Sequence, residues 1–260
     1  MFTLGLQCYR GAVGFVVLQV TPCHLNTSLG DELESVVAST QVRSGAFKQG
    51  TPEWYAARCG KITASCFGKI MTAGRSKTAI WGQTALSYML EVMGERLTGK
   101  PEDQIASKYL DWGNQHEPSA RSLYAWITGR PVQLVPFIDH PTVHGVGGSP
   151  DGLVGEDGVL EIKCPFTTKV HLETILENEV VDKDYMWQCQ GNLWITGRKW
   201  LDFVSFHPDM PNSLKLHIVR VNRDDKAISE LEKRIELFST QLAVDLAKIR
   251  DNVTNGDSHE

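Results

Sequence analysis

Glu161 and Lys163 flank Ile162 in the short run Val159-Leu160-Glu161-Ile162-Lys163, and Asp151 stands ten residues upstream in Ser149-Pro150-Asp151-Gly152. Side chains alternate faces along a strand, so Glu161 and Lys163 project together while Ile162 turns toward the core. Gly155-Glu156-Asp157-Gly158 has the composition of a turn. A hairpin closed there carries Asp151 back beside Glu161. Charged groups within an apolar hairpin are costly unless they are paired or bind a metal. Two converging carboxylates suit magnesium, which takes oxygen ligands and keeps several waters. Held there, the ion would polarise a phosphoryl oxygen and acidify a water, and the adjacent ammonium would orient the attacking water or offset transition-state charge. The chemistry is metal-assisted phosphodiester hydrolysis. An E-x-K triplet alone is weak, because a surface ion pair gives the same pattern. Here it is the sole E-x-K in the chain and it follows a Pro-Asp-Gly turn.

The elements that must hold these residues are readable in outline. The chain has 260 residues, with 42% apolar and 22% charged, an ordinary globular balance with enough apolar residues for a sizeable core. Residues 1–50 read as an N-terminal extension whose first ~30 residues attach loosely, and 51–260 as one domain ending in a helix. Residues 63–71 suit a short helix with a hydroxyl residue at its start, 82–96 an amphipathic helix, and 105–128 another, which Pro118 should kink or restart. Residues 132–138 suit an edge strand, since Pro136 cannot donate to a ladder. Short strands follow at 143–146 and 151–154, with 159–163 as the second arm of the hairpin. A helix at 184–196, strands at 200–206 and 214–221, and a helix over about 224–250 complete the pattern. The last helix carries a stripe of Ile228, Leu231, Ile235, Phe238 and Leu242. The expected fold is α/β, a central mixed β-sheet flanked by helices.

Charge and cysteine usage narrow the setting. The net charge of -5 argues weakly against a nucleic-acid partner, although only the charge lining a binding groove decides phosphate contact. No Asp or Glu occurs between Trp54 and Leu90, a stretch holding Arg58, Lys61, Lys69, Arg75 and Lys77; a solvated face explains it as well as a phosphate track does. The six cysteines include no C-x-x-C, so a zinc site is not expected and free thiols in a reducing cytoplasm are. The apolar run Gly11 to Val20 is too short to span a bilayer, so no membrane partner is expected. The eight histidines form no constellation, and His116 points away from its neighbour Glu117 on a helix.

Further blocks surround the hairpin. Arg58-Cys59-Gly60-Lys61-Ile62-Thr63-Ala64-Ser65, Trp112-Gly113-Asn114-Gln115-His116-Glu117, Ser149-Pro150-Asp151-Gly152 with Leu160-Glu161-Ile162-Lys163-Cys164-Pro165-Phe166, and Tyr185-Met186-Trp187-Gln188-Cys189-Gln190 with Trp194-Ile195-Thr196 occur in that order. In content and order they resemble the phage lambda exonuclease family of viral recombination nucleases, within the restriction-endonuclease-like superfamily. The resemblance implies a restriction-endonuclease-like core and a magnesium-dependent, processive 5′-to-3′ exonuclease on linear double-stranded DNA. Such an enzyme releases 5′-mononucleotides and leaves 3′ single strands for recombination. It also implies a ring-shaped homotrimer, a single-strand annealing protein as partner, and a cytoplasmic location in a bacterial or phage-infected host.

Carried over position by position, Asp151, Glu161 and the carbonyl of Ile162 resemble ligands of one Mg2+, with Glu117 serving a second and Mn2+ a possible substitute. Lys163 resembles the catalytic lysine. Arg58, Ser65, Ser149 and Gln188 match a pocket for the terminal 5′ phosphate. Arg75 matches a residue that tracks the DNA groove, and Leu110 an apolar wedge at the end base pair. Taken singly these residues have plainer readings: Ser65 as a helix cap, Gln188 facing solvent, Arg58 in a surface ion pair. An endonuclease built on the same metal core and an inactive DNA-end-binding protein are the alternatives.

Overall fold

In a computed structural model of the chain, residues 49–74, 78–102, 107–177 and 181–256 are described. The elements run α1 (Pro52–Arg58), β1 (Ile62–Thr63), a 3-10 turn (Ala64–Cys66), α2 (Phe67–Met71), α3 (Gln83–Thr98), α4 (Lys108–Thr128), β2 (Val132–Gln133), β3 (Ile138–Asp139), β4 (Val146–Gly148), β5 (Gly152–Val154), β6 (Gly158–Lys163), α5 (Thr168–Glu177), α6 (Lys183–Thr196), β7 (Trp200–Phe206), β8 (Leu216–Asn222) and α7 (Asp225–Gly256). Residues 1–48 of the expected extension, and Arg75, lie outside the described residues.

Strands β2-β5-β6-β7-β8 form a five-stranded sheet. Only β6 and β7 pair in parallel within it, and a parallel pair needs a long crossover, here supplied by α5 and α6. A three-stranded sheet, β1-β4-β3, lies beside it. The expected mixed sheet with flanking helices is what forms. The stripe on α7 is core: Ile228, Leu231, Ile235, Phe238 and Leu242 are all buried and pack with α2, α3 and Trp194 of α6.

Local chemistry sets the boundaries. Thr51 caps α1, accepting from the Trp54 N–H, and Pro52 follows in the first turn. Gly99 and Gly129 end α3 and α4 in the left-handed conformation. The side chain of Asp224 accepts from the N–H groups of Lys226 and Ala227 at the start of α7.

Several expectations need correction. Residues 63–71 are not one helix, because Thr63 belongs to β1, which pairs with β4, and a 3-10 turn intervenes before α2. Residues 132–138 divide into β2 and the start of β3, which join different sheets; Pro136, with no N–H, sits at the changeover. The strand expected at 143–146 runs 146–148. Helix α4 runs through Pro118 without a break, so the proline removes one N–H without restarting the helix.

Candidate active site

The β5–β6 hairpin forms with Gly152 opposite Leu160, and the Asp151 N–H donates to the Leu160 carbonyl at 3.0 Å. Asp151 therefore lies at the mouth of the hairpin, beside Glu161. Its Oδ2 accepts from the Ile162 N–H at 2.6 Å, and its own carbonyl accepts from Arg121 Nε at 3.0 Å. The N–H and C=O of one strand residue point to the same side. Ile162 directs its N–H at Asp151, so its carbonyl faces that edge too, where β5 has already ended. The Ile162 side chain turns into the core, as alternation requires.

Glu161 is 2% exposed, and its two oxygens are held by three donors. Oε1 accepts from Lys163 Nζ at 2.8 Å and Gln188 Nε2 at 2.6 Å, and Oε2 from Asn192 Nδ2 at 3.0 Å. Gln188 and Asn192 are one helical turn apart on α6 and so share a face. The crossover that makes β6 and β7 parallel thus brings that face over the buried carboxylate. Lys163 also donates to Gln188 Oε1 at 3.2 Å and lies 4.9 Å from the Tyr185 ring centre.

Electrostatics follow from burial and crowding. Burial first, then repulsion from Asp151 and Glu117, push the Glu161 carboxyl up to about 7 against the pull of Lys163. Burial and Asp151 raise Glu117 to about 7 as well, against its ion pair with Arg121. Asp151 is raised by burial, opposed by Lys163 and the Ile162 N–H. Burial disfavours the Lys163 ammonium, yet Glu161 and Asp151 outweigh it and raise its pKa, so it stays charged.

Arg58, Ser65 and Ser149 meet directly. Arg58 donates from Nη1 to Ser149 Oγ at 3.3 Å and from Nη2 to Ser65 Oγ at 3.4 Å, with its guanidinium 4.2 Å from the Trp54 ring centre. Trp54 Nε1 donates to Ser149 Oγ at 3.0 Å. Gln188, expected with these three, is bonded instead to Glu161 and Lys163. All of them line one cleft of about 470 Å³, together with Glu117, Asp151, Ile162 and Leu110. Of the other basic residues of the acid-free stretch, Lys61 pairs with Asp139 and Lys69 with Glu91.

The residues suit a hard divalent cation. The donor set is all oxygen, and the cleft is lined by six carboxylates (Glu117, Asp151, Glu161, Glu173, Glu177 and Asp182) against two cationic side chains, Arg58 and Lys163. Among the described residues no three His, Cys, Asp or Glu side chains converge on one ion. Two carboxylates plus the Ile162 carbonyl would therefore hold the first ion, while Glu117, tied to Arg121, stands as a separate donor.

Arg121, Asn192 and Trp54 contribute to this site and were not expected. Arg121 carried a signal, lying four residues after Glu117 on one helix. Asn192 carried none beyond its spacing from Gln188. His116 stacks on Trp112, ring centres 4.1 Å apart. His171 is buried and hydrogen bonds Ser205 at 2.8 Å, with the His207 ring centre 6.3 Å from its own. The four cysteines among the described residues are free.

Residues 53–199, which hold every residue of this cleft but Gln49, Phe203 and Ser205, match the YqaJ-like viral recombinase domain. The chain belongs to that family. LHK-Exo, an alkaline exonuclease from Laribacter hongkongensis, is 38% identical and superposes with a TM-score of 0.72, covering 79% of this chain and 99% of its own. A second structure of LHK-Exo, in complex with dAMP, matches equally. A phage-related exonuclease from Haemophilus somnus 129PT shares the fold at 19% identity, with a TM-score of 0.57 over 73% of this chain and 96% of that one. Uncharacterized protein R354 of Acanthamoeba polyphaga mimivirus is 22% identical over 169 residues, 61% of this chain, which spans only 29% of that protein. The expected kinship with the lambda exonuclease family and its restriction-endonuclease-like core is thus borne out. Among the described residues no helix is long and apolar enough to cross a membrane.

Proposed function

We propose that this chain is a magnesium-dependent exonuclease that digests linear duplex DNA from its 5′ ends, releasing 5′-mononucleotides and leaving 3′ single strands for recombination. The observation that carries the proposal is the shared cleft: Asp151, Glu161 and Lys163 open into the same space as the Arg58–Ser65–Ser149 cluster. A relative at 38% identity is an alkaline exonuclease, and it has been crystallised with dAMP.

Asp151, Glu161 and the Ile162 carbonyl would hold one Mg2+, and Glu117 a second. The bound metal supplies a polarised phosphoryl oxygen and a water of lowered pKa. Lys163, kept charged by Glu161 and Asp151, offsets negative charge that builds on the transferring phosphoryl group. Gln188 and Asn192 hold Glu161 in place, and Arg121 does the same for Glu117. Arg58 and the two serine hydroxyls present donors to a terminal 5′ phosphate. Attraction of each new end to that cluster favours forward steps, and a homotrimeric ring would prevent release between them. A single-strand annealing protein is the expected partner for the 3′ strand, and the cytoplasm the expected compartment.

The test is digestion of linear duplex bearing 5′-phosphate or 5′-hydroxyl ends, with Mg2+ present or chelated, beside a closed circular control. Metal-dependent mononucleotide release from linear DNA, faster on phosphorylated ends, is expected. Asp151→Ala abolishes it and Arg58→Ala removes the end preference. Cleavage of the closed circle would turn the reading to an endonuclease, and equal rates on both ends would remove the phosphate pocket. Light scattering tests the trimer.

A further inference from the structure

One feature at the mouth of the cleft has no part in holding metal or the terminal phosphate. Tyr109 and Leu110 open α4 and line the cleft, and Ser107 caps that helix. Tyr109 is 59% exposed and Phe166, three residues beyond Lys163, is 39% exposed. Their rings stand nearly perpendicular, at 85° with centres 5.3 Å apart. Trp112 backs Phe166 edge-on at 5.3 Å and is fixed by donating Nε1 to the Pro165 carbonyl at 3.1 Å. Lys108 Nζ lies 5.2 Å from the Tyr109 ring centre and 5.0 Å from that of Phe166. Large exposed aromatics that are held by neighbours, beside a cation and continuous with a cleft, are poor core material. They have the composition of a surface that stacks an unpaired base and attracts its phosphate.

We propose that Tyr109 and Phe166, with Lys108, form a stacking corner for the unpaired 5′-terminal base of the strand being cut. The inference rests on the exonuclease reading and deepens it. Leu110, next along the helix, is exposed and lines the same cleft; were it to part the last base pair, the corner would receive the base so released. The strand being cut is the occupant because Tyr109 lines the same cleft as Asp151 and Glu161, and the Cys164-Pro165 segment joins Lys163 directly to Phe166. Every base has a π-face, so the corner accepts any of the four.

The test is equilibrium binding of the full chain to fluorescent, 5′-phosphorylated duplexes in Ca2+ without Mg2+, followed by anisotropy. Three duplexes are compared: intact, abasic at the 5′-terminal nucleotide, and abasic at the opposing 3′-terminal nucleotide. Loss of one stacked base costs about 5- to 150-fold in affinity, from ~1–3 kcal/mol per base. The parent protein should show such a loss for the 5′ abasic end and not for the 3′ abasic end. Tyr109→Ala should bind both 5′ ends alike, near the parent's abasic value, whereas Tyr109→Phe should keep the parent's discrimination. Equal weakening of base-bearing and abasic ends by Tyr109→Ala overturns the proposal, as does discrimination at the 3′ nucleotide instead. Discrimination intact in Tyr109→Ala but lost in Phe166→Ala overturns the role of Tyr109. If the parent binds no duplex end, the exonuclease reading itself fails, and the corner with it.

Discussion

The carboxylate cluster should make the protein's stability respond to pH and to divalent cations in a linked way. Glu161 titrates at about 7 in the folded chain against an ordinary 4.5, because burial and the neighbouring acids disfavour its charge. The folded state therefore holds this proton more tightly than the unfolded state. The advantage is complete below pH 4.5 and is lost as pH climbs through about 7. At ~1.4 kcal/mol per pH unit, ionising Glu161 alone costs the metal-free fold about 3 kcal/mol, and Glu117 adds in the same direction. A divalent cation binds the ionised form, so its stabilising effect should be absent at pH 5 and grow to a plateau above pH 8. For a domain of this size ~1 kcal/mol moves Tm by about 2–4 °C, which makes the full effect of Glu161 about 6–12 °C. The assay is thermal unfolding from pH 5 to 9 with Mg2+ or with chelator, no DNA being present. Glu161→Gln should flatten the metal-free pH dependence and lose the Mg2+ response. A Mg2+-induced shift of equal size at pH 5 and pH 8 would refute the buried carboxylates as its origin.

Three further outcomes follow from named contacts. Arg121→Gln removes the cation that pulls Glu117 down, so Glu117 should titrate above about 7 and the acid limb of the pH–rate profile should move to higher pH. A displacement of one pH unit would give roughly fivefold slower digestion at neutrality, recovered in alkali. Asn192→Ala leaves Glu161 Oε2 without its donor; stability should fall by about 1–3 kcal/mol in denaturant melts, with a loss of rate. Tyr124→Phe deletes the 2.6 Å bond from Tyr124 to the buried Asp202, outside the cleft, and should cost about 1–3 kcal/mol of stability with kcat unchanged.

The parts of the fold that were legible in the sequence are those where periodicity and turn chemistry agree. The β5–β6 hairpin is one: alternation in Val159-Leu160-Glu161-Ile162-Lys163 and the flanking glycines point to the same register that the structure adopts. The stripe on α7 is another. Helix α5 was not expected because it buries only His171, while Val170, Leu172 and Leu176 remain exposed, so no apolar stripe marks it. The segment 132–138 has the composition of a single edge strand, with Pro136 where such a strand tolerates it, whereas the chain changes sheets there. In the site, the acids and Lys163 were visible from spacing. The partner of Gln188 was not, because its contact with Glu161 depends on how the crossover lays α6 over β6, a long-range matter that residue types do not encode.

The two halves of the proposed site are joined through a single intervening residue, Pro150. Ser149 receives Arg58 and Trp54 at one end of Ser149-Pro150-Asp151, and Asp151 stands among the carboxylates at the other. Two extended residues span at most ~7 Å, about the repeat of a nucleic-acid backbone. Pro150 fixes one dihedral of that link and is itself buried, so the spacing between a held terminal phosphate and the metal-binding hairpin has little freedom to vary. Under the proposed reaction this rigidity would set the cut at the first internal phosphate and make each product a mononucleotide without any moving part. A glycine in place of Pro150 relaxes the link while leaving both clusters intact. Pro150→Gly should therefore release dinucleotides alongside mononucleotides at a reduced rate, as read by chromatography of the products. Mononucleotides alone, at the parent's rate, would show that the step is set elsewhere.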